Sequence, residues 1–323
     1  MRINLRAFMF KSFLLVLTLL LISFISNAQY EDHEVDSIVI QRQYKQKTVV
    51  GLSNEIAKDF EDRRCLIRAF YIYITYNMQY DIQAGIENKK RKYTVKTMDD
   101  IIKSDEQEML KLLRTKKGVC WHFGNLFAKL CAVQGIDVEI ISGIRRAKVL
   151  PDTLSYGHLW NAVEIDGEVK MIDCTISYKL PYKKEDFDRL FLVDPEVFIY
   201  SCIPVVPAKQ YLQKPISYES FKRLVSPQPM FNLLQVKELT PRFKRISPRS
   251  DGIARFNFKI ENHNQIDFLE VYVNNKYVKS IPADKSAISL ELPVTSLSWI
   301  SIQAIKIKDG FKHMWYLLDY DVL

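Results

Sequence analysis

Cys120, His158 and Asp173 each sit in a short segment whose chemistry complements the other two. A thiol, an imidazole and a carboxylate are the parts of a nucleophilic acyl-transfer site. The sulfur attacks, the imidazole moves the proton, and the carboxylate fixes the ring's tautomer and orientation. Cys120 follows Lys117, Gly118 and Val119 and precedes a run, Phe123 to Gln134, whose apolar residues recur at helical spacing and which stops at Gly135. The cysteine is therefore expected in the first turn of a helix, where backbone N–H groups and the positive end of the helix dipole favour thiolate over thiol. Gly118 lets the chain enter that helix tightly.

The two partners fall on a single predicted hairpin. Asp166-Gly167 separates the β-prone segments Gly157 to Ile165 and Glu168 to Thr175, and Asp-Gly in that setting marks a two-residue turn. With Ile165 opposite Glu168, His158 comes opposite Thr175, and Asp173 lies one diagonal step from His158 on the same face. Asn161 is the other candidate for orienting the ring, but it has the opposite parity to His158 and faces away. Trp160 shares the parity of His158 and is expected to wall the cleft or, as buried tryptophans more often do, to pack in the core. Taken singly, each member has a bland reading as a buried thiol, a satisfied histidine or a turn aspartate. Their agreement in geometry is what favours a site.

The flanking elements must hold the helix against the hairpin. Asn54 to Met78 carries helical periodicity, with Ile67, Phe70, Ile74 and Met78 on one stripe. Ser104 to Gln107 has the capping-box pattern and predicts a short helix through Leu113. A strand is expected over 138–144, then a loop near Pro151, the hairpin, and an irregular stretch rich in proline and aromatics up to Pro229. Helices followed by strands give an α+β class, with the cysteine helix packed on an antiparallel sheet. Beyond Pro229, short alternating segments at 253–260, 268–273, 277–281, 287–292, 298–307 and 314–319 predict an immunoglobulin-like β-sandwich, with Asn274-Asn275 and Asp309-Gly310 as turns. The expected domains are thus a signal segment, 1–28; a loosely held polar lead-in, 29–52; a catalytic domain, 53–229; and the sandwich, 230–323.

Gly118-Val119-Cys120, His158-Leu159-Trp160-Asn161 and Asp173-Cys174-Thr175 resemble the three core motifs of the transglutaminase-like superfamily, which shares its fold with papain-like cysteine enzymes. The segment Arg68 to Ile74 with Tyr80-Asp81 resembles the helix that precedes the nucleophile. Phe191 to Ser201 and Lys214 to Ser217 are similar to the segment that follows the core in the kyphoscoliosis peptidase branch. The resemblance runs from about Ser53 to Val225 and implies amide chemistry at Cys120, His158 and Asp173. It also implies an oxyanion donor at Tyr80, beside the backbone N–H of Cys120. Cys174 stands where the family usually has proline, Tyr73 where it often has tryptophan, and Trp121-His122 where smaller residues follow the nucleophile. Trp121 then borders the substrate cleft.

Composition sets the compartment. Arg2, Arg6 and Lys11, the apolar run Phe13 to Ile25, and the small residues Ser26-Asn27-Ala28 form a secretory signal with cleavage expected after Ala28. The apolar run is shorter than the roughly 20 residues a membrane-spanning helix needs. A secreted or periplasmic location follows. Losing the three signal charges leaves +5 of the net +8. The longest basic cluster, Lys89-Lys90-Arg91-Lys92, reads as a solvated loop and not as a nucleic-acid patch. The five cysteines are an odd number for an exported chain, which leaves a free thiol, and Cys120 is the candidate. Cys131 reads as a small buried hydrophobe, and the pairing of Cys65, Cys174 and Cys202 is open. No CxxC or HxxxH spacing occurs, so no metal and no cofactor is expected.

Three functional classes remain at this stage. One is a hydrolase that cleaves peptide or isopeptide bonds in a protein or peptide substrate through a thioester. A second is a transglutaminase that passes the acyl group to an amine. The third is a noncatalytic binding or structural module, and the sandwich itself has room for a protein or cell-surface ligand. The peptidase branch of the resemblance and the lack of clustered calcium-type carboxylates favour the hydrolase, and the complete triad disfavours the noncatalytic module.

Overall fold

The computed structural model describes residues 30–84, 98–146, 154–175, 188–248 and 250–323. The expected signal segment, the lysine-rich run at 89–92 and the loop at Pro151 lie outside the described residues.

Three helices, α1 (Asp32–Arg42), α2 (Val49–Ile56) and α3 (Arg63–Asn77), lead into the short β1 (Gln79–Tyr80), α4 (Met98–Thr115), β2 (Lys117–Gly118) and α5 (Cys120–Val133). Then come β3 (Val138–Arg146), β4 (Leu154–Ile165), β5 (Glu168–Ile172), α6 (Pro195–Phe198), β6 (Cys202–Pro204), α7 (Tyr218–Arg223) and α8 (Pro229–Leu233). The remainder is strand: β7 (Val236–Thr240), β8 (Arg245–Ile246), β9 (Ile253–Ile260), β10 (Phe268–Val273), β11 (Lys276–Pro282), β12 (Ala287–Pro293), β13 (Trp299–Lys308) and β14 (Phe311–Val322).

The α+β core is built around α3. Asp62 caps it by accepting the Cys65 N–H at 2.8 Å, and the stripe Ile67, Phe70, Ile74 and Met78 is buried. Burying each large apolar side chain of this kind stabilises the fold by roughly 1.5–3 kcal/mol before chain entropy is set against it. Helix α5 packs beside α3 and against β4 and β3 of a four-stranded antiparallel sheet ordered β5-β4-β3-β6. Its C-terminus is closed as expected: Gly135 takes φ +68°, and the Ile136 N–H returns to the Cys131 carbonyl at 3.0 Å.

Two expectations need correction. The polar lead-in is not loosely held. Residues 32–42 form α1, which buries Val35 and Val39 and sends Asp36 to the fully buried Arg68 of α3. The docking joins two buried valines to an ion pair, and an apolar-periodicity criterion does not see the second. The helix predicted to open at Ser104 begins at Met98 instead. No glycine or proline interrupts 98–104, and a capping-box pattern inside a continuous helical sequence sets no boundary.

The sheet-rich C-terminal region follows the sequence closely. A five-stranded sheet, β11-β10-β13-β14-β8, and a three-stranded sheet, β12-β9-β7, have the layout of a β-sandwich, with Leu269, Ile302, Leu318, Phe256 and Leu290 buried. Asn274-Asn275 and Asp309-Gly310 take positive φ, as hairpin turns require. Strands β7 and β8 lie outside the six expected. The sheets join the α+β core through charge as well as packing: Asp194 accepts from Lys170 of β5 and from Lys237 of β7.

Candidate active site

The site forms where the start of α5 meets β4. β1 and β2 pair in parallel, Tyr80 opposite Gly118, and this fixes the approach to α5. Val119 is extended, and the first bond of the helix runs from the Phe123 N–H to its carbonyl at 3.2 Å. Cys120 is therefore the first helical residue, as the sequence predicts. The turn is locked by His122, whose Nδ1 accepts the Val119 N–H at 3.2 Å while Nε2 meets Glu108 of α4 at 3.3 Å. The room for this is small, since a Cβ on Gly118 would lie 2.9 Å from the His122 Cβ.

The hairpin carries the other two residues. Asp166 and Gly167 both take positive φ, and Ile165 pairs with Glu168. The ladder ends at Asn161 opposite Ile172. The Asp173 N–H then turns to the Leu190 carbonyl at 3.0 Å, but its side chain keeps the expected face. His158 Nε2 and Asp173 Oδ2 are 2.8 Å apart. The second oxygen, Oδ1, accepts the Thr175 N–H at 2.8 Å. Nδ1 is the ring nitrogen left for the Cys120 thiol. Cys120 Sγ lies 3.8 Å from the Gly157 carbonyl oxygen.

The electrostatics favour charge separation. Burial pushes the Cys120 thiol up, but the hydrogen bond and charge of His158, with the Leu159 N–H, outweigh it, and the thiol falls below its ordinary value. Burial pulls His158 down, while the charge and hydrogen bond of Asp173 carry it above its usual range. Burial raises Asp173, and His158 and Arg145 hold it well below the usual carboxylate range. Both shifts run toward a thiolate–imidazolium pair, beside a carboxylate held ionised.

Other expected residues fall as follows. Asn161 is fully buried and donates to the Gly124 carbonyl of α5 at 3.1 Å, so it ties sheet to helix and leaves the His158 ring to Asp173. Trp160 is 1% exposed, stacked on His158 with ring centres 6.0 Å apart and tilted on Phe198 at 5.6 Å, which places it in the core beneath the imidazole. Trp121 is half-buried, next to Cys120 in the chain. Tyr80 is half-buried, edge-on to Phe123. Cys131 and Cys174 are buried, and burial pushes both thiols up. Among the described residues all five cysteines are free thiols.

Residue order alone does not single out Arg145. It lies on β3 with Nη1 3.2 Å from Asp173 Oδ2 and 3.4 Å from His158 Nε2. Two residues along β3 from Gly143, which stands opposite His158, it falls on the ring's face of the sheet, beside a one-residue bulge in β4. Gly143 pairs with His158 and Ile144 with Tyr156, so Gly157, at φ +73°, is the extra residue. The glycine is a visible signal, but the bulge and its register are not. Among the described residues no group of three or more His, Cys, Asp or Glu side chains is arranged to hold a metal ion.

Residues 50–169 match the family model of the transglutaminase-like superfamily, and the chain carries a domain of that superfamily. Among curated proteins, it is similar to the kyphoscoliosis peptidases of Mus musculus and Homo sapiens, each 26% identical over 168 residues, which is 48% of this chain and 23% of theirs. It is also similar to the Lim and transglutaminase domain protein ltd-1 of Caenorhabditis elegans, 23% identical over 248 residues, 66% of this chain and 34% of that one. This chain thus spans only about a quarter to a third of the length of these relatives. A solved structure described as a TGase aligns over 52% of this chain and 39% of its own at 15% identity, with a TM-score of 0.29.

Proposed function

We propose that this protein is an exported, cysteine-dependent acyl-transfer enzyme that hydrolyses peptide or isopeptide bonds through a thioester. The observation that carries the reading is the 2.8 Å bond between His158 and Asp173 beside a cysteine that begins a helix. The Cys120 thiolate attacks the amide carbon, and the C–N bond breaks as the amine leaves with the proton of His158. The acyl group is then held on sulfur. Water attacks the thioester carbon, His158 takes its proton, and the C–S bond breaks to release a carboxylic acid and restore the thiolate–imidazolium pair. The backbone N–H of Cys120 precedes the first helical bond and faces the developing oxyanion, with Tyr80 as the second donor.

The likeness to proteins named as peptidases supports hydrolysis over transfer. A glutamine-containing peptide incubated with and without excess primary amine separates the two: free acid or cleaved peptide, indifferent to amine, is the hydrolase result. Amine incorporation instead makes the protein a transglutaminase. No turnover of any amide by the wild type, with Cys120→Ser as the blank, leaves a binding module on the same fold. Export rests on the sequence pattern of residues 1–28, and a mature protein beginning at Gln29 is its test. The division into a catalytic domain to 229 and a sandwich from 230 is likewise our proposal, drawn from the change to continuous strand after α8.

A further inference from the structure

The carboxylate of Asp173 serves two cations through one atom. Oδ2 accepts from His158 Nε2 at 2.8 Å and lies 3.2 Å from Arg145 Nη1, and Arg145 Nη1 is itself 3.4 Å from that ring nitrogen. All three are largely enclosed: Asp173 has 1%, His158 7% and Arg145 15% of its side chain exposed. Such closeness is costly unless it does something, because Arg145 and a protonated His158 repel each other at this distance with little water between them.

We propose that Arg145 is a positioning residue of the site: it clamps the Asp173 carboxylate toward His158 and, by its own charge, keeps the imidazolium proton transferable. The inference deepens the proposed function and rests on it. The buried carboxylate at Nε2 tightens the hold of His158 on its proton. The tighter that hold, the weaker the imidazolium is as an acid toward the departing amine, the step on which thioester formation depends. A fixed positive charge beside Nε2 opposes that tendency without loosening the hydrogen bond that orients the ring. Arginine suits the task because its charge is permanent and its planar guanidinium is less strongly hydrated than an ammonium.

The charged and titratable groups around the ring can be named element by element. Cys120 faces it from α5, Asp173 and Cys174 come from the segment after β5, Arg145 from β3, and Tyr71 of α3 lies within the field of Asp173. Cys174 and Tyr71 are held neutral by burial, which pushes both well above their ordinary values. Arg145 is thus the cation in this group that opposes protonation of His158.

The test is the ring-proton NMR titration of His158 in the full mature chain, wild type against Arg145→Met and Arg145→Gln. Glutamine keeps a donor for Asp173 without the charge, so it decides the matter if the methionine variant does not fold. The proposal expects the His158 midpoint to move up by about one pH unit or more in either neutral variant, and Arg145→Lys to restore most of the shift. A midpoint unmoved in a folded neutral variant overturns it. Alkylation of Cys120 in the wild type, with and without His158→Ala, is read alongside. If His158 has no influence there, the catalytic reading fails. If it has influence but the midpoint ignores Arg145, only the present inference fails.

Discussion

Gly143 stands directly opposite His158 on the neighbouring antiparallel strand, and it is the close approach of β6 on its other side that forbids a side chain there. A Cβ at this position would sit 2.2 Å from the Ile203 carbonyl oxygen and 2.4 Å from the Trp160 ring. The first of these is backbone and cannot swing away. Gly143→Ala is expected to destabilise the protein by at least the 1–3 kcal/mol typical of overpacking, measured by urea unfolding. It should also slow Cys120 alkylation, because the strand that moves is the one that frames the imidazole.

His122 is expected to matter through the backbone. Its Nδ1 accepts the Val119 N–H at the entrance to α5, a capping contact of the kind worth about 1 kcal/mol. His122→Ala should lose roughly that much stability in a denaturant titration and reduce Cys120 reactivity several-fold, with the pH midpoint little changed. Glu108→Ala should do less, since its carboxylate is 41% exposed and surface pairs contribute about 0–1 kcal/mol.

The buried pair between α1 and α3 gives a larger effect. Arg68 has no exposed side chain and meets Asp36 at 2.7 and 2.8 Å and Asp188 at 2.7 Å, with Nη1 lacking a hydrogen-bond partner. Removing an anion leaves a buried guanidinium undercompensated. Asp36→Ala is expected to cost about 3–5 kcal/mol, read from the shift in urea midpoint at constant slope.

The triad also shapes stability against pH. Asp173 is depressed in the folded protein, so its contribution is present above the unfolded carboxylate value near 3.9 and is lost as pH falls through the folded one. His158 is raised, so its contribution is complete below about 6.5 and is lost as pH rises through the folded value. The site therefore stabilises most between roughly pH 4 and 6.5. Asp173→Asn should lower the melting temperature within that window and flatten its pH dependence on either side of it, below about pH 4 and above about 6.5.

Much of this arrangement was legible in residue order. Asp166-Gly167 announced the hairpin and its register, Gly135 the end of α5, and the alternation of 253–307 the sandwich strands, because each is a local rule with a strong steric cause. What escaped depends on contacts distant in sequence. Arg145 meets Asp173 across two strands of the sheet, α1 is tied by an ion pair to a residue 32 positions on, and His122 was visible as bulk after Cys120 but not as the cap of its helix.

The most direct test of the central claim is the pH dependence of Cys120 alkylation by iodoacetamide, followed by peptide mapping, in the wild type and in His158→Ala. If helix start and imidazole together activate the sulfur, the wild type reacts fast at neutral pH. Its midpoint then lies below the roughly 8.5 of a free cysteine, and His158→Ala moves it back to or above that value and slows the neutral reaction by an order of magnitude or more. A Cys120 that reacts with the same midpoint and rate in both proteins would contradict the account.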